Sequence, residues 1–140
     1  GDVYKRQVLE CMAIDSASFP LSEAKLQELE RIDREQHELI ATHPEDNLRF
    51  AELDKEFHCA IAACCDNASL IEFIQNINNV MVRINVLSGT LPQNRQDAII
   101  EHENIIAFLK KGQREFAKVA LSEHLKQVEE RMLSESKKER

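Results

Sequence analysis

Four residues of this chain have the types and spacing to hold a metal ion: Asp54, His58, His102 and His124. Asp54 and His58 stand four apart in Leu53-Asp54-Lys55-Glu56-Phe57-His58. On a helix that spacing puts both side chains on one face, a turn apart. His102 falls within an apolar stripe of Ala98, Ile99, Ile105, Ile106 and Leu109, and His124 within one of Ala117, Ala120, Leu121, Val128 and Met132. Imidazole has no packing reason to be in either stripe. Three imidazoles and one carboxylate suit a single borderline divalent ion such as Zn²⁺, Ni²⁺, Mn²⁺ or Fe²⁺. A di-iron carboxylate bundle is excluded, because no Glu lies three residues before any His. His37, in Glu35-Gln36-His37-Glu38, and His43, at a helix end, are expected to be solvated.

Elements must bring the four together, and the sequence predicts only helices. At 140 residues, with three Gly and three Pro, the chain has few breakers and length enough for one buried core. A first helix is expected over about Val8–Ala17, ending before Phe19-Pro20. A second follows Ser22 as N-cap and ends near Thr42-His43-Pro44. A third starts at about Asp46, and a fourth runs over about Ala68–Leu87, capped by Asn67 or Ser69. The fourth is apolar on several sides and is expected to be central. Gly89 and Leu91-Pro92 mark the next connection, and helices over about Gln93–Lys111 and Arg114–Ser134 meet at Gly112. The expected fold is all-α: an antiparallel bundle of about six helices.

Heights along such a bundle can be compared by reflection through its turns. His102 and His124 average to residue 113, the turn of the last hairpin, so they face each other across it. Reflecting His58 through the Asp66-Asn67 turn and again near residue 90 lands at about residue 105. At about 1.5 Å per residue that is less than a turn from His102. One layer of the bundle can hold all four side chains.

The net charge of −7 argues against this chain gripping phosphate backbones by itself. No apolar run is long enough to span a membrane, and a cytoplasmic location is the default. Cys11, Cys59, Cys64 and Cys65 form no C-x-x-C pair and read as small buried hydrophobes. Residues 1–7, Gly1-Asp2-Val3-Tyr4-Lys5-Arg6-Gln7, have the look of a non-native, adapter-like segment and are set apart from the fold. The globular domain is then expected over 8–136, with 137–140 as a frayed tail.

The chain resembles the FCD domain, the C-terminal effector-binding domain of GntR-family transcription regulators. The resemblance covers roughly Val8 to Met132. It rests on Asp54-Lys55-Glu56-Phe57-His58, then Ala62-Ala63-Cys64-Cys65-Asp66-Asn67 with Leu70, then Glu101-His102-Glu103-Asn104-Ile105-Ile106, and finally Glu123-His124-Leu125. Leu109, Gly112, Ala117, Ala120 and the early Leu9-Glu10 also fit. The resemblance implies a homodimerising helical bundle that follows an N-terminal winged helix-turn-helix, a domain expected to be missing from this chain. It implies a divalent cation on Asp54, His58, His102 and His124, at the floor of a cavity that accepts a small organic acid. DNA would be bound only through the N-terminal domain.

Within that frame Arg83 and Asn79, polar positions on the apolar fourth helix, are the expected effector-binding residues, with Asn85 and Arg95 as weaker choices. Glu101 and Glu103 are expected to point away and be solvated. Two other readings use the same four ligands: a mononuclear metal-dependent enzyme, and a structural metal-stabilised helical module. The enzyme reading lacks a general base, since the remaining inward residues are nearly all aliphatic. The chain is therefore expected not to be an enzyme.

Overall fold

Capping chemistry sets the ends of the helices. The computed structural model describes residues 1–88 and 92–138, and six α-helices with no strand are found among them. They are α1 (Asp2–Ser16), α2 (Glu23–Thr42), α3 (Asn47–Ala62), α4 (Ala68–Ser88), α5 (Pro92–Lys110) and α6 (Arg114–Lys138). The Ser22 hydroxyl accepts the Lys25 N–H at 3.2 Å to start α2. Asp46 accepts from the Arg49 N–H at 3.0 Å to start α3, and Asn67 from the Leu70 N–H at 3.0 Å to start α4. At the end of α5, Gly112 takes φ +73°. Its N–H reaches the Leu109 carbonyl at 3.1 Å and the Gln113 N–H reaches the Phe108 carbonyl at 2.9 Å. That pattern is a Schellman motif, and the left-handed residue it needs is the glycine.

Packing then arranges the helices as a ring. α1 lies against α4, α4 against α3, α3 against α2, α2 against α5, α5 against α6, and α6 against α1. α1 also reaches inward to α3. The main core gathers Ile14, Leu29, Ile32, Phe57, Ile61, Ile105, Leu109, Leu121 and Leu125, all at most 1% exposed. A smaller cluster of Phe50, Ala98 and Ile99 packs with Leu39 and Ile40 from α2. His102 lies between these two clusters along α5. The bundle is therefore apolar on both sides of one polar layer.

Several sequence expectations are corrected. The first helix begins at Asp2, inside the 1–7 segment set apart above, and Arg6 in that segment is 1% exposed. Helix α6 continues past Ser134 to Lys138, so Lys137 and Lys138 are helical, while Glu139 and Arg140 lie outside the described residues. Gly89 and Leu91 also lie outside them. Helix α4 is not central. It sits in the ring with Leu70, Ile74, Asn78 and Met81 inward, and Phe73 and Leu87 are 62% and 87% exposed. Its apolar outer positions reflect composition, which does not distinguish a buried flank from an open one. All four cysteines are free thiols, with Cys64 and Cys65 buried.

Candidate metal centre

The polar layer is built from the inside of every helix in the ring. α3 supplies Asp54 and His58, α5 His102 and α6 His124, and a ligand atom from each lies within 4.8 Å of the others. His102 Nε2 stands 3.2 Å from His124 Nε2 and 3.4 Å from Asp54 Oδ1, and His58 Nε2 stands 3.5 Å from Asp54 Oδ1. The edge of a tetrahedron with bonds of 2.0–2.1 Å is about 3.4 Å. The three histidines are at most 1% exposed, and the Asp54 side chain keeps 13% at the edge of the cluster. Phe57 stacks on His102 with ring centroids 3.9 Å apart, fixing the plane of that imidazole.

What the imidazoles can do is decided at their other nitrogens. His58 Nδ1 donates to Glu10 Oε1 from α1. His124 Nδ1 donates to Glu101 Oε1 at 2.7 Å, and His102 Nδ1 donates to Gln36 Oε1 at 3.1 Å. Carboxylate and amide oxygens only accept, so in each neutral ring the proton sits on Nδ1. All three Nε2 lone pairs then converge on one point. His58 Nε2 makes no hydrogen bond within the described residues. Buried lone pairs facing each other at these distances repel unless a cation or a proton lies among them. The donor set fits a divalent ion.

The charges around the layer follow the same logic. Burial holds His124 down to about 3, and burial also lowers His102. For His58 burial works against the imidazolium, yet Glu10 and Asp54 outweigh it and raise the pKa, with Arg6 opposing. Burial opposes ionisation of Asp54, but His58 and His102 hold its carboxyl well below the usual range. Glu10 is lowered against its burial by His58 and Arg6. Glu101 is pushed down to about 2, against burial, by a two-point Arg131 pair at 2.8 Å and by His124.

The four predicted metal residues therefore meet. Arg83 and Asn79 do not reach them, because both are exposed. With Ile74, Asn78 and Met81 facing inward on α4, Asn79 is rotated about 100° off that face, and Arg83 is further round. Arg95 lies at the Phe50 end, in contact with the Pro44 carbonyl and Asn47. Glu101 is not free in solvent, as expected above, but half-buried against His124 and Arg131. Glu103 is 42% exposed and His37 56%, in contact with each other.

Four polar groups at the layer, Glu10, Arg6, Gln36 and Asn78, were given no place there by the sequence. Glu10 is fully buried, its Oε2 taking Arg6 Nε at 3.3 Å, with Asn78 Nδ2 at 3.5 Å. Arg6 Nη2 stands 3.9 Å from Asp54 Oδ2 and makes no hydrogen bond within the described residues. Gln36 is fully buried in the stripe of Leu29, Ile32 and Leu39. The signals were available: an i,i+4 Arg6–Glu10 pair among apolar residues of α1, and a lone amide on the inward face of α2.

No curated protein matches the chain in sequence. A family model does: that of the FCD domain, over residues 4–127, a span that takes in Arg6 and Glu10 as well as all four metal-layer residues. The chain belongs to the FCD domain family, the ligand-sensing domains of GntR-family transcription regulators.

Proposed function

We propose that this domain senses a small organic acid through a divalent cation held on Asp54, His58, His102 and His124. The observation that carries the reading is the convergence of three Nε2 atoms whose Nδ1 protons are committed to Glu10, Gln36 and Glu101. Such a cation supplies positive charge and coordination positions for an anionic ligand. Arg6 supplies a further anchor, since its buried Nη2 beside Asp54 suits the second oxygen of a carboxylate or a second carboxylate. Asn78, whose buried Oδ1 makes no hydrogen bond within the described residues, suits a ligand hydroxyl. Arg6 and Asn78 face the layer in this role, whereas Arg83 and Asn79 lie on the exposed side of α4.

Ligand at this layer touches residues from α1, α3, α4, α5 and α6 together, so it can favour one arrangement of the ring over another. In the full regulator that preference passes to an N-terminal DNA-binding domain within a cytoplasmic homodimer. No helix among the described residues is long and apolar enough to cross a membrane. The two carboxylates beside the layer, Glu10 and Glu101, are engaged by Arg6 and His58 and by Arg131 and His124, so neither is free to serve as a general base, which favours sensing over catalysis.

The test begins with elemental analysis of the purified chain and of a His58→Ala, His124→Ala double variant. The expected content is about one divalent ion per chain, lost in the double variant. Calorimetry with acetate, malonate and citrate then follows on metal-loaded and metal-stripped protein. Binding confined to the loaded form, without turnover, supports the sensor. Turnover would make the domain an enzyme, and a loaded protein deaf to all carboxylates would make the ion structural.

A further inference from the structure

The outer side of the α2–α5 contact carries a second group of ligating side chains. Asp33 and His37 from α2 meet Glu103 from α5, with one ligand atom from each within 4.8 Å of the others. His37 Nε2 touches Glu103 Oε1 and stands 3.7 Å from Asp33 Oδ1. Asp33 Oδ1 is buried and makes no hydrogen bond within the described residues. The single proton on His37 Nε2, given to Glu103, leaves that oxygen unserved. Two carboxylates and an imidazole nitrogen aimed at one another are better matched by one divalent cation than by one proton.

The arrangement repeats the buried centre in outline. Asp33 and His37 have the i,i+4 spacing of Asp54 and His58, which places both ligands on adjacent turns of one helix. The third ligand comes from α5 in both groups, Glu103 following His102 directly. We propose that Asp33, His37 and Glu103 form a second, solvent-facing site for a borderline divalent ion such as Zn²⁺, clamping α2 to α5. His37 also borders a groove of about 390 Å³ with Ile40, Ala41, Gln96, Ile99 and Ile100, so the ion is reached from outside the bundle. Three protein ligands, His37 exposed and Asp33 and Glu103 half-buried, make this the weaker site.

The probe is Zn²⁺ alone, titrated calorimetrically at pH 7.5 into the metal-stripped full chain and into His37→Ala. His37 is exposed, and far-UV circular dichroism checks that the variant keeps its helices. Two ions in the wild type and one in the variant, the second weakened at least tenfold and the tight one unchanged, is the expected result. A single ion that His37→Ala abolishes would uphold the outer site and defeat the buried-centre reading instead. A single ion unaffected by His37→Ala, or two ions equally bound in both proteins, would overturn the proposal.

Discussion

Glu10, Gln36 and Glu101 do not reach the point where the imidazoles converge, yet they decide which nitrogen each imidazole presents there. Removing one such partner leaves the ligand in place but frees its tautomer and its rotation. Glu10→Gln keeps the shape and removes the charge that favours the Nδ1 proton on His58. Its metal affinity is expected to fall by about 10–100-fold, read by competition with a chromophoric chelator. The same measurement on Glu103→Gln is expected to leave the tight site unchanged, because Glu103 faces outward to His37. Equal affinity in Glu10→Gln and wild type would mean that His58 is oriented by its packing alone. At this scale the meeting of Asp54, His58, His102 and His124 was legible, since a histidine in an apolar stripe and an i,i+4 Asp–His pair are both anomalies against packing. Their supporting residues were not. Glu101 lies one position from His102 and looked solvent-facing by helical rotation, whereas a long side chain folds back to His124 and Arg131. Arg83 was placed inward for the opposite reason: a charged residue on an apolar helix was read as facing the layer, on a helix that has an open side.

Helix identity and order were readable because caps and breakers are local chemistry. Ser22, Asp46, Asn67 and Gly112 act where the sequence placed them. Replacing Asp46 with Ala removes the acceptor for the Arg49 N–H and is expected to destabilise the protein by about 1 kcal/mol in urea unfolding, without altering metal content. A core truncation acts more strongly. Leu121 is fully buried on α6, in the cluster with Phe57, Ile61 and Ile105 beside the metal layer. Leu121→Ala is expected to cost about 2–5 kcal/mol by the same measurement. A loss below about 1 kcal/mol would mean that α6 does not seal this side of the bundle. Which helix neighbours which is non-local, and there the sequence said less. The reflection of residue heights needed only chain reversal, so it located the layer. It could not show that α1 lies between α4 and α6, which is what buries Arg6 and Glu10.

The closed ring makes the buried layer a proton-binding site, so folding and protonation are linked across the whole molecule, and the proposed cation would compete for the same nitrogens. In metal-stripped protein burial holds His124 down to about 3 and also lowers His102, against an ordinary value of 6.5. Below about pH 6.5 the unfolded chain takes up protons that the folded chain refuses, so these two groups remove stability as pH falls. Each such proton is worth about 1.4 kcal/mol per pH unit. His58 has the opposite sign. Glu10 and Asp54 raise its pKa against the effect of burial, so its stabilisation is complete below 6.5 and is lost as pH rises through the folded value. Stripped protein is therefore expected to be most stable near pH 6.5. Its stability should decline toward pH 5, His124 and His102 each removing up to about 1.4 kcal/mol per pH unit while Asp33, raised to about 6 by burial and Glu103, offsets part of the loss by taking up a proton of its own, in urea titrations at half-unit intervals. A divalent ion needs His58 deprotonated at Nε2 and so competes with its proton. Added Zn²⁺ should then raise the urea midpoint more at pH 7.5 than at pH 5.5. If stripped protein were equally stable from pH 5 to 6.5, the imidazoles would not be held neutral inside the bundle. The converging lone pairs that argue for the ion would then already be satisfied by protons.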